Sequence, residues 1–195
     1  MMHIITGRAR GVRLDTLPGV ATRPTSERAK EAIFSMLQFD LQGRRVLDLF
    51  AGSGQMGLEA VSRGAAHATL VDAAKEAVAV IRRNAEKTRL AADVSILQAD
   101  ALSYLDRCQE QPFHLVFLDP PYAAGLLPSV LARLLDRRLL TAGATVVAEC
   151  ADPKDLFGGD EALAARYNII KTKRYGVAHV FFLVPVRLAA REPNT

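Results

Sequence analysis

From residue 45 onward, short apolar runs alternate with segments whose apolar residues recur every three or four positions. The runs Arg45–Phe50, Ala68–Val71, Val94–Leu97, His114–Leu118 and Ala144–Ala148 predict five strands. The intervening helices fall at about Gly54–Ser62, Ala74–Lys87, Ala101–Cys108 and Leu126–Asp136. Apolar strands alternating with helices imply an α/β fold with a mostly parallel sheet, covered on both faces. The end of the chain differs. Tyr167–Thr172 and Val177–Val184 predict an antiparallel C-terminal hairpin with its turn at Arg174-Tyr175-Gly176, which brings the sheet to seven strands.

Ahead of this pattern, His3–Thr6 and Val12–Leu14 predict a small hairpin, with Arg8-Ala9-Arg10 between Gly7 and Gly11. Thr22-Arg23-Pro24-Thr25-Ser26-Glu27 opens a helix. Thr25 or Ser26 can cap it, and Ala32, Ile33, Met36 and Leu37 give it an apolar stripe. The expected organisation is a basic extension over 1–40, the sheet domain over 41–187 and a tail over 188–195.

The length of 195 residues suits one main domain that buries roughly 70% of its unfolded surface. Half of the residues are hydrophobic, which excludes a disordered chain. No apolar run reaches the ~20 residues of a membrane span. Met1 to Arg13 carries arginines without an apolar segment, so no secretory signal is read and a cytoplasmic place is expected. Cys108 and Cys150 are far apart and read as reduced thiols. His3, His67, His114 and His179 show no ligand spacing, so no metal is expected. The net charge is +4, and residues 1–45 alone hold eight Lys/Arg against four acids. A basic arm of this kind fits a polyanionic partner as well as a solvated surface.

Two segments carry chemistry. The first strand runs into Asp48-Leu49-Phe50-Ala51-Gly52-Ser53-Gly54-Gln55-Met56-Gly57. Glycines there permit a tight turn and close approach of a ligand to the backbone, and the following helix offers free N–H groups. Gly52-x-Gly54-x-x-Gly57 with Asp72 satisfies the dinucleotide fingerprint, so a nicotinamide or flavin enzyme is a competing reading. Asp48 at the loop entrance suits a cationic amino group better than a pyrophosphate. Asp72 ends the second strand and can accept from ribose hydroxyls. Asp100, in Gln98-Ala99-Asp100-Ala101, follows the third strand and can accept from an adenine amine. The three acids match the three parts of S-adenosylmethionine. Each acid alone is equally a helix cap.

The second segment is Asp119-Pro120-Pro121-Tyr122, directly after Leu115-Val116-Phe117-Leu118. The prolines fix the backbone and remove N–H groups that would compete for acceptors. Asp119 and the Pro120 carbonyl can then hold the two hydrogens of an exocyclic amine. Tyr122 can stack on a base that has left its own stack.

These motifs resemble class I S-adenosylmethionine-dependent methyltransferases with a Rossmann-like sheet. Ile4-Ile5-x-Gly7 with Gly11, Thr22–Arg28, Val46–Gly57, Asp119–Tyr122 and Arg174-Tyr175-Gly176 are similar to the bacterial family that methylates guanine N2 in 16S, small-subunit ribosomal RNA. The resemblance implies catalytic Asp119, Pro120, Pro121 and Tyr122. It implies a cofactor site of Asp48, Gly52, Ser53, Gly54, Asp72, Asp100 and Ala101, with Thr25 in a segment that closes over the methionine end. Its product would be S-adenosylhomocysteine. Asp72 stands where glutamate is commoner, and Gln55 and Met56 where small or apolar residues are usual.

The tetrapeptide itself does not choose between guanine N2 and adenine N6 of DNA. About twenty residues separate Tyr122 from the fifth strand, too few for a domain that reads base edges. Arg8, Arg10, Arg13, Arg23, Lys171, Lys173 and Arg174 are the candidate phosphate contacts. The expected partner is therefore folded small-subunit ribosomal RNA or its ribonucleoprotein particle, bound by a monomer. A methyltransferase on DNA adenine or protein glutamine, and a dinucleotide enzyme, remain as alternatives. Calorimetry separates the last: S-adenosylmethionine is expected to bind, and binding of NAD alone contradicts the reading.

Overall fold

The computed structural model describes residues 2–17, 24–37 and 41–186; the side chains of 24–28 lie outside that description. One seven-stranded sheet organises the chain, in the order β3-β2-β1-β4-β5-β7-β6. The strands are β1 Arg45–Asp48, β2 His67–Asp72, β3 Val94–Gln98, β4 Phe113–Leu118, β5 Leu140–Cys150, β6 Tyr167–Tyr175 and β7 Ala178–Pro185. The first five pair in parallel, and β7 runs antiparallel to both β5 and β6. The helices are α1 Pro24–Leu37, α2 Gln55–Ser62, α3 Lys75–Lys87, α4 Ala101–Arg107, α5 Leu127–Asp136 and the single turn α6 Glu161–Ala164.

Strand alternation sends neighbouring residues to two separate cores. Val46, Leu115, Phe117 and Val147 face a core shared with Ile33, Phe34, Leu58, Ile81 and the N-terminal Met2, Ile4 and Leu14. Leu47, Val116, Leu118 and Val146 face the other core, with Leu105, Val130, Leu131 and Leu134. Burial at i, i+3, i+4 and i+7 on α5, through Leu127, Val130, Leu131 and Leu134, fixes which side of that helix meets the sheet. Phe34 of α1 packs on Phe117 with ring centroids 5.7 Å apart.

The strands and helices predicted from residue 45 onward are present, with shifted ends. β5 starts at Leu140, four residues early, because Leu140 pairs with Phe113 before a register shift. The C-terminal hairpin turns at Gly176-Val177; Arg174 and Tyr175, expected in the turn, are still in β6, paired with His179 and Ala178. The small N-terminal hairpin is reduced to one bridge between His3 and Arg13, with Ile4 donating to the Val12 carbonyl and Leu14 to the Met2 carbonyl. Its backbone polar groups go largely to helices instead. Pro24 opens α1, so Thr25 and Ser26 fall within its first turn, and their side chains, like Arg23, lie outside the described residues.

Glu59 makes this attachment. It is fully buried on α2, and its carboxylate accepts from the amides of Ile5 at 2.7 Å and Thr6 at 3.0 Å. Arg63, one turn on, pairs with it at 2.5 Å and lies over the Phe34 ring. Ser62 adds a bond to the Thr6 carbonyl and accepts from the Ala9 amide. Glu59→Ala leaves two amides and a guanidinium without their acceptor. It is expected to lower the unfolding free energy by roughly 3–5 kcal/mol in urea titration; a loss below about 1 kcal/mol contradicts this role.

Candidate active site

The carboxyl ends of β1, β4 and β5 open into a cavity of about 880 Å³ on the α1 side of the sheet. Its floor joins both sequence motifs: Asp48, Gly52 and Ser53 from the glycine loop, Asp119 and Tyr122 from the tetrapeptide. Lys30 and Ile33 of α1, Glu149 of β5 and the β6–β7 turn at Tyr175–Ala178 complete the wall.

The loop between β1 and α2 is bent by glycines in the left-handed region. Gly52 has φ 56° and Gly54 φ 78°. A Cβ on Gly54 would lie 3.0 Å from both Ile81 and Leu70, whereas one on Gly52, which lines the cavity, would meet nothing within 4 Å. Polar side chains hold the bend. Asp72 accepts from the Gly52 amide at 2.8 Å and the Ala74 amide at 2.9 Å. Asp48 accepts from the Gly57 amide at 3.0 Å. Buried Asn84 donates to the Ser53 carbonyl and exchanges two bonds with the Asp15 backbone, tying the N-terminal segment to the loop.

Thus Asp48 and Asp72, read as ligand groups, already shape the loop. Each carboxylate oxygen keeps room for a second donor. Asp72, Gly54, Asp100 and Ala101 do not line the cavity itself. Asp72 ends β2 and Asp100 follows β3, so they continue from the cavity along the strand ends. Asp100 caps α4 by accepting from the Ser103 amide at 2.9 Å, and that bond holds its carboxyl below the ordinary range.

The carboxylates of the cavity are unusual. Removal from water pushes buried Asp48 up to about 7, against the pull of the Gly57 amide and Lys30. Asp119, just past β4, is exposed and lines the cavity. Partial loss of water around its carboxyl, then the charge of Glu149, push Asp119 upward from the ordinary carboxylate range, while Lys30 pulls the other way. The Tyr122 hydroxyl donates to Glu149 at 2.6 Å. Pro120, Pro121, Tyr122 and Glu149 also bound a small neighbouring pocket.

Lys30 and Glu149 belong to no sequence motif. Lys30 also donates to Gln55 at the start of α2. An acid directly after the apolar stretch Ala144–Ala148 was the available signal for Glu149.

Among the basic residues, Arg8 pairs with Asp93 just before β3, at the amino ends of the strands and away from the cavity. Arg10 shares the turn that packs on Ser62. Arg13 lies opposite His3, next to the cavity-lining Met2. Lys171, Lys173 and Arg174 are exposed on edge strand β6, which leads into the cavity rim at Tyr175. Among the described residues no group of His, Cys, Asp or Glu could hold a metal ion, and no helix is long and apolar enough to cross a membrane.

An antiparallel strand inserted between β5 and β6 departs from the all-parallel order of dinucleotide-binding sheets. This order, with the loop and cavity at the strand ends, defines the fold of class I methyltransferases. A Lactobacillus delbrueckii ribosomal protein L11 methylase shares it at TM-score 0.71 and 20% identity, over 90% of this chain and 86% of that one. The family model described as "Conserved hypothetical protein 95" matches residues 2–184. The chain belongs to that family, the family of the ribosomal RNA small subunit methyltransferase D proteins. It is 34% identical to the Escherichia coli protein of that name over 148 residues, 76% of this chain and 74% of the relative. The Haemophilus influenzae protein of that name is 30% identical, covering 90% of each chain. The solved Escherichia coli yhhF structure superposes at TM-score 0.81 with 30% identity, over 94% of this chain and 97% of that one.

The acid environment gives a measurable consequence. Asp48 ionises near its ordinary 3.8 when unfolded and near 7 when folded. Below 3.8 both states keep the proton. Between about 4 and 7 the unfolded state releases it first, so stability falls as pH rises through that window. Asp48→Asn is expected to gain about 1–2 kcal/mol over the parent protein at pH 8 and to lose that gain near pH 4. Thermal unfolding across pH without added ligand checks this; a gap that does not change with pH contradicts it.

Proposed function

We propose that this protein transfers a methyl group from S-adenosylmethionine to the exocyclic N2 amine of one guanine in small-subunit ribosomal RNA, within an assembled or partly assembled particle. The observation that carries the reading is the shared cavity: the glycine loop and Asp119–Tyr122 open on one space. A donor resting on the loop therefore faces an amine held at Asp119. The names of the bacterial relatives supply the polymer, and the resemblance in the motifs supplies guanine N2.

The residues fit the cofactor's charge. Asp48 and Glu149 offer negative charge to a ligand whose ammonium and sulfonium are positive. Asp48, Gly52 and Ser53 would hold its amino-acid end, Asp72 its ribose, and Asp100 with the Ala101 amide its adenine. When bound it supplies an electrophilic methyl. Asp119 accepts from one hydrogen of the target amine, and the Pro120 carbonyl from the other. Tyr122 stacks on the flipped base, worth ~1–3 kcal/mol. Once methylated the nitrogen is cationic and acidic, so it sheds its proton without a strong base. Placement and electrostatics then supply most of the rate. Arg13, Lys171, Lys173 and Arg174 at the rim contact RNA phosphates, whereas the paired Arg8 contributes little.

Tritiated S-adenosylmethionine is expected to label small-subunit particles well above naked ribosomal RNA, and duplex DNA not at all. Nucleoside mass analysis is expected to return N2-methylguanosine at one position. Asp119→Ala is expected to cut transfer by roughly 10²-fold or more while cofactor affinity stays within a few-fold. N6-methyladenosine as product, or label on DNA, overturns the reading.

A further inference from the structure

The tetrapeptide grips an amine but does not distinguish guanine from adenine, so that choice must come from its surroundings. Glu149 stands in the right place. In the parallel register of β4 and β5, Leu118 pairs with Ala148. The next residue in each segment is an acid, Asp119 just past the end of β4 and Glu149 within β5, and neighbouring strands run about 5 Å apart. Both acids line the cavity, and Val180, paired with Glu149 from β7, lines it beside them. Glu149 is half-buried, and its Oε1 accepts from the Tyr122 hydroxyl at 2.6 Å. A carboxylate has about four lone-pair positions, so acceptor capacity remains. Holding two like charges side by side is costly, and Glu149 is the strongest charge raising Asp119. Such a pair in a cavity marks a site that uses it.

Purine edges show what adjacent acceptors read. Guanine presents N1–H next to its N2 amine, two neighbouring donors. Adenine presents an N6 amine next to N1, which is an acceptor. 2-Aminopurine keeps the N2 amine of guanine but has the acceptor N1 of adenine. Two side-by-side carboxylates therefore complement guanine and oppose the other two.

This inference rests on the reading of the cavity as a guanine-N2 site. We propose that Glu149 is the residue that selects guanine, its carboxylate accepting from N1–H while Asp119 accepts from the N2 amine. The Tyr122 hydroxyl fixes Glu149 in that pose and is itself oriented by it.

The test uses small-subunit RNA ligated to carry guanine or 2-aminopurine at the methylated position and reassembled with small-subunit proteins. With the parent protein, kcat/KM is expected to favour guanine by at least about 100-fold. Glu149→Gln keeps the shape but can donate to an acceptor N1, so the preference is expected to fall at least about tenfold. Its acid limb of kcat/KM is expected at lower pH than that of the parent, because the charge facing Asp119 is gone. Calorimetry with S-adenosylhomocysteine confirms that the variant is folded. Tyr122→Phe removes the bond that poses Glu149 but leaves its carboxylate, so it is expected to lower the rate and to cost a smaller part of the preference than Glu149→Gln. The proposal is overturned if the parent uses both bases equally, a result that stands even where the variant does not fold. It is also overturned if Glu149→Gln keeps the full preference, or if Tyr122→Phe loses as much of it. A parent protein inert on the guanine substrate instead sinks the methyl-transfer reading itself.

Discussion

The site depends on how the loop from Asp48 to Gly57 is held. Left-handed glycines allow the bend, but a flexible loop would lose that shape without anchors. Asp72 takes the Gly52 amide, Asp48 the Gly57 amide and Asn84 the Ser53 carbonyl. The anchors sit on three different elements, β2, β1 and α3, so the loop is fixed relative to the whole sheet. Through Asn84 and Asp15 the same network reaches the N-terminal segment, which Glu59 fastens to α2. The cavity thus has a rigid floor and a wall contributed by residues far away in sequence.

That floor is acidic, with Asp48 buried, Glu149 half-buried and Asp119 exposed toward the cavity. Asp48 and Asp119 are both displaced toward neutrality, chiefly by loss of water, with Lys30 acting against the shift in both. Groups kept in a form they resist cost stability, and sites commonly carry that cost because the ligand relieves it. A positively charged donor entering this cavity meets Asp48, Asp119 and Glu149 at once. Lys30 stands among these acids, whereas Lys171, Lys173 and Arg174 are exposed on β6, which leads to the cavity rim.

Much of this was legible in the sequence, because strand and helix periods differ and both faces of the sheet are apolar. Val46–Leu47 and Phe117–Leu118 show the pattern that sends neighbours to two cores. The glycine loop and Asp119–Tyr122 were legible as well, since each packs its chemistry into a few consecutive residues. What was not legible depends on residues distant in the chain. Glu149 and Lys30 gain meaning only when β5 and α1 are placed beside Asp119. Asp72 was read as a ribose ligand, and only the fold shows its carboxylate also shaping the loop. The N-terminal strands were overestimated because their alternation says nothing of Glu59, which takes the Ile5 and Thr6 amides. The hairpin turn shifted by two residues because Arg174 and Tyr175 have partners across the ladder in His179 and Ala178.

The central claim is spatial: donor and acceptor meet in one cavity between the glycine loop and Asp119. A crystal structure with S-adenosylhomocysteine tests it directly. The account requires the amino-acid end at Asp48 and Gly52, the ribose at Asp72, the adenine toward Asp100, and the sulfur facing Asp119 across the cavity. A ligand whose sulfur points away from Asp119, or which binds outside this cavity altogether, would contradict it.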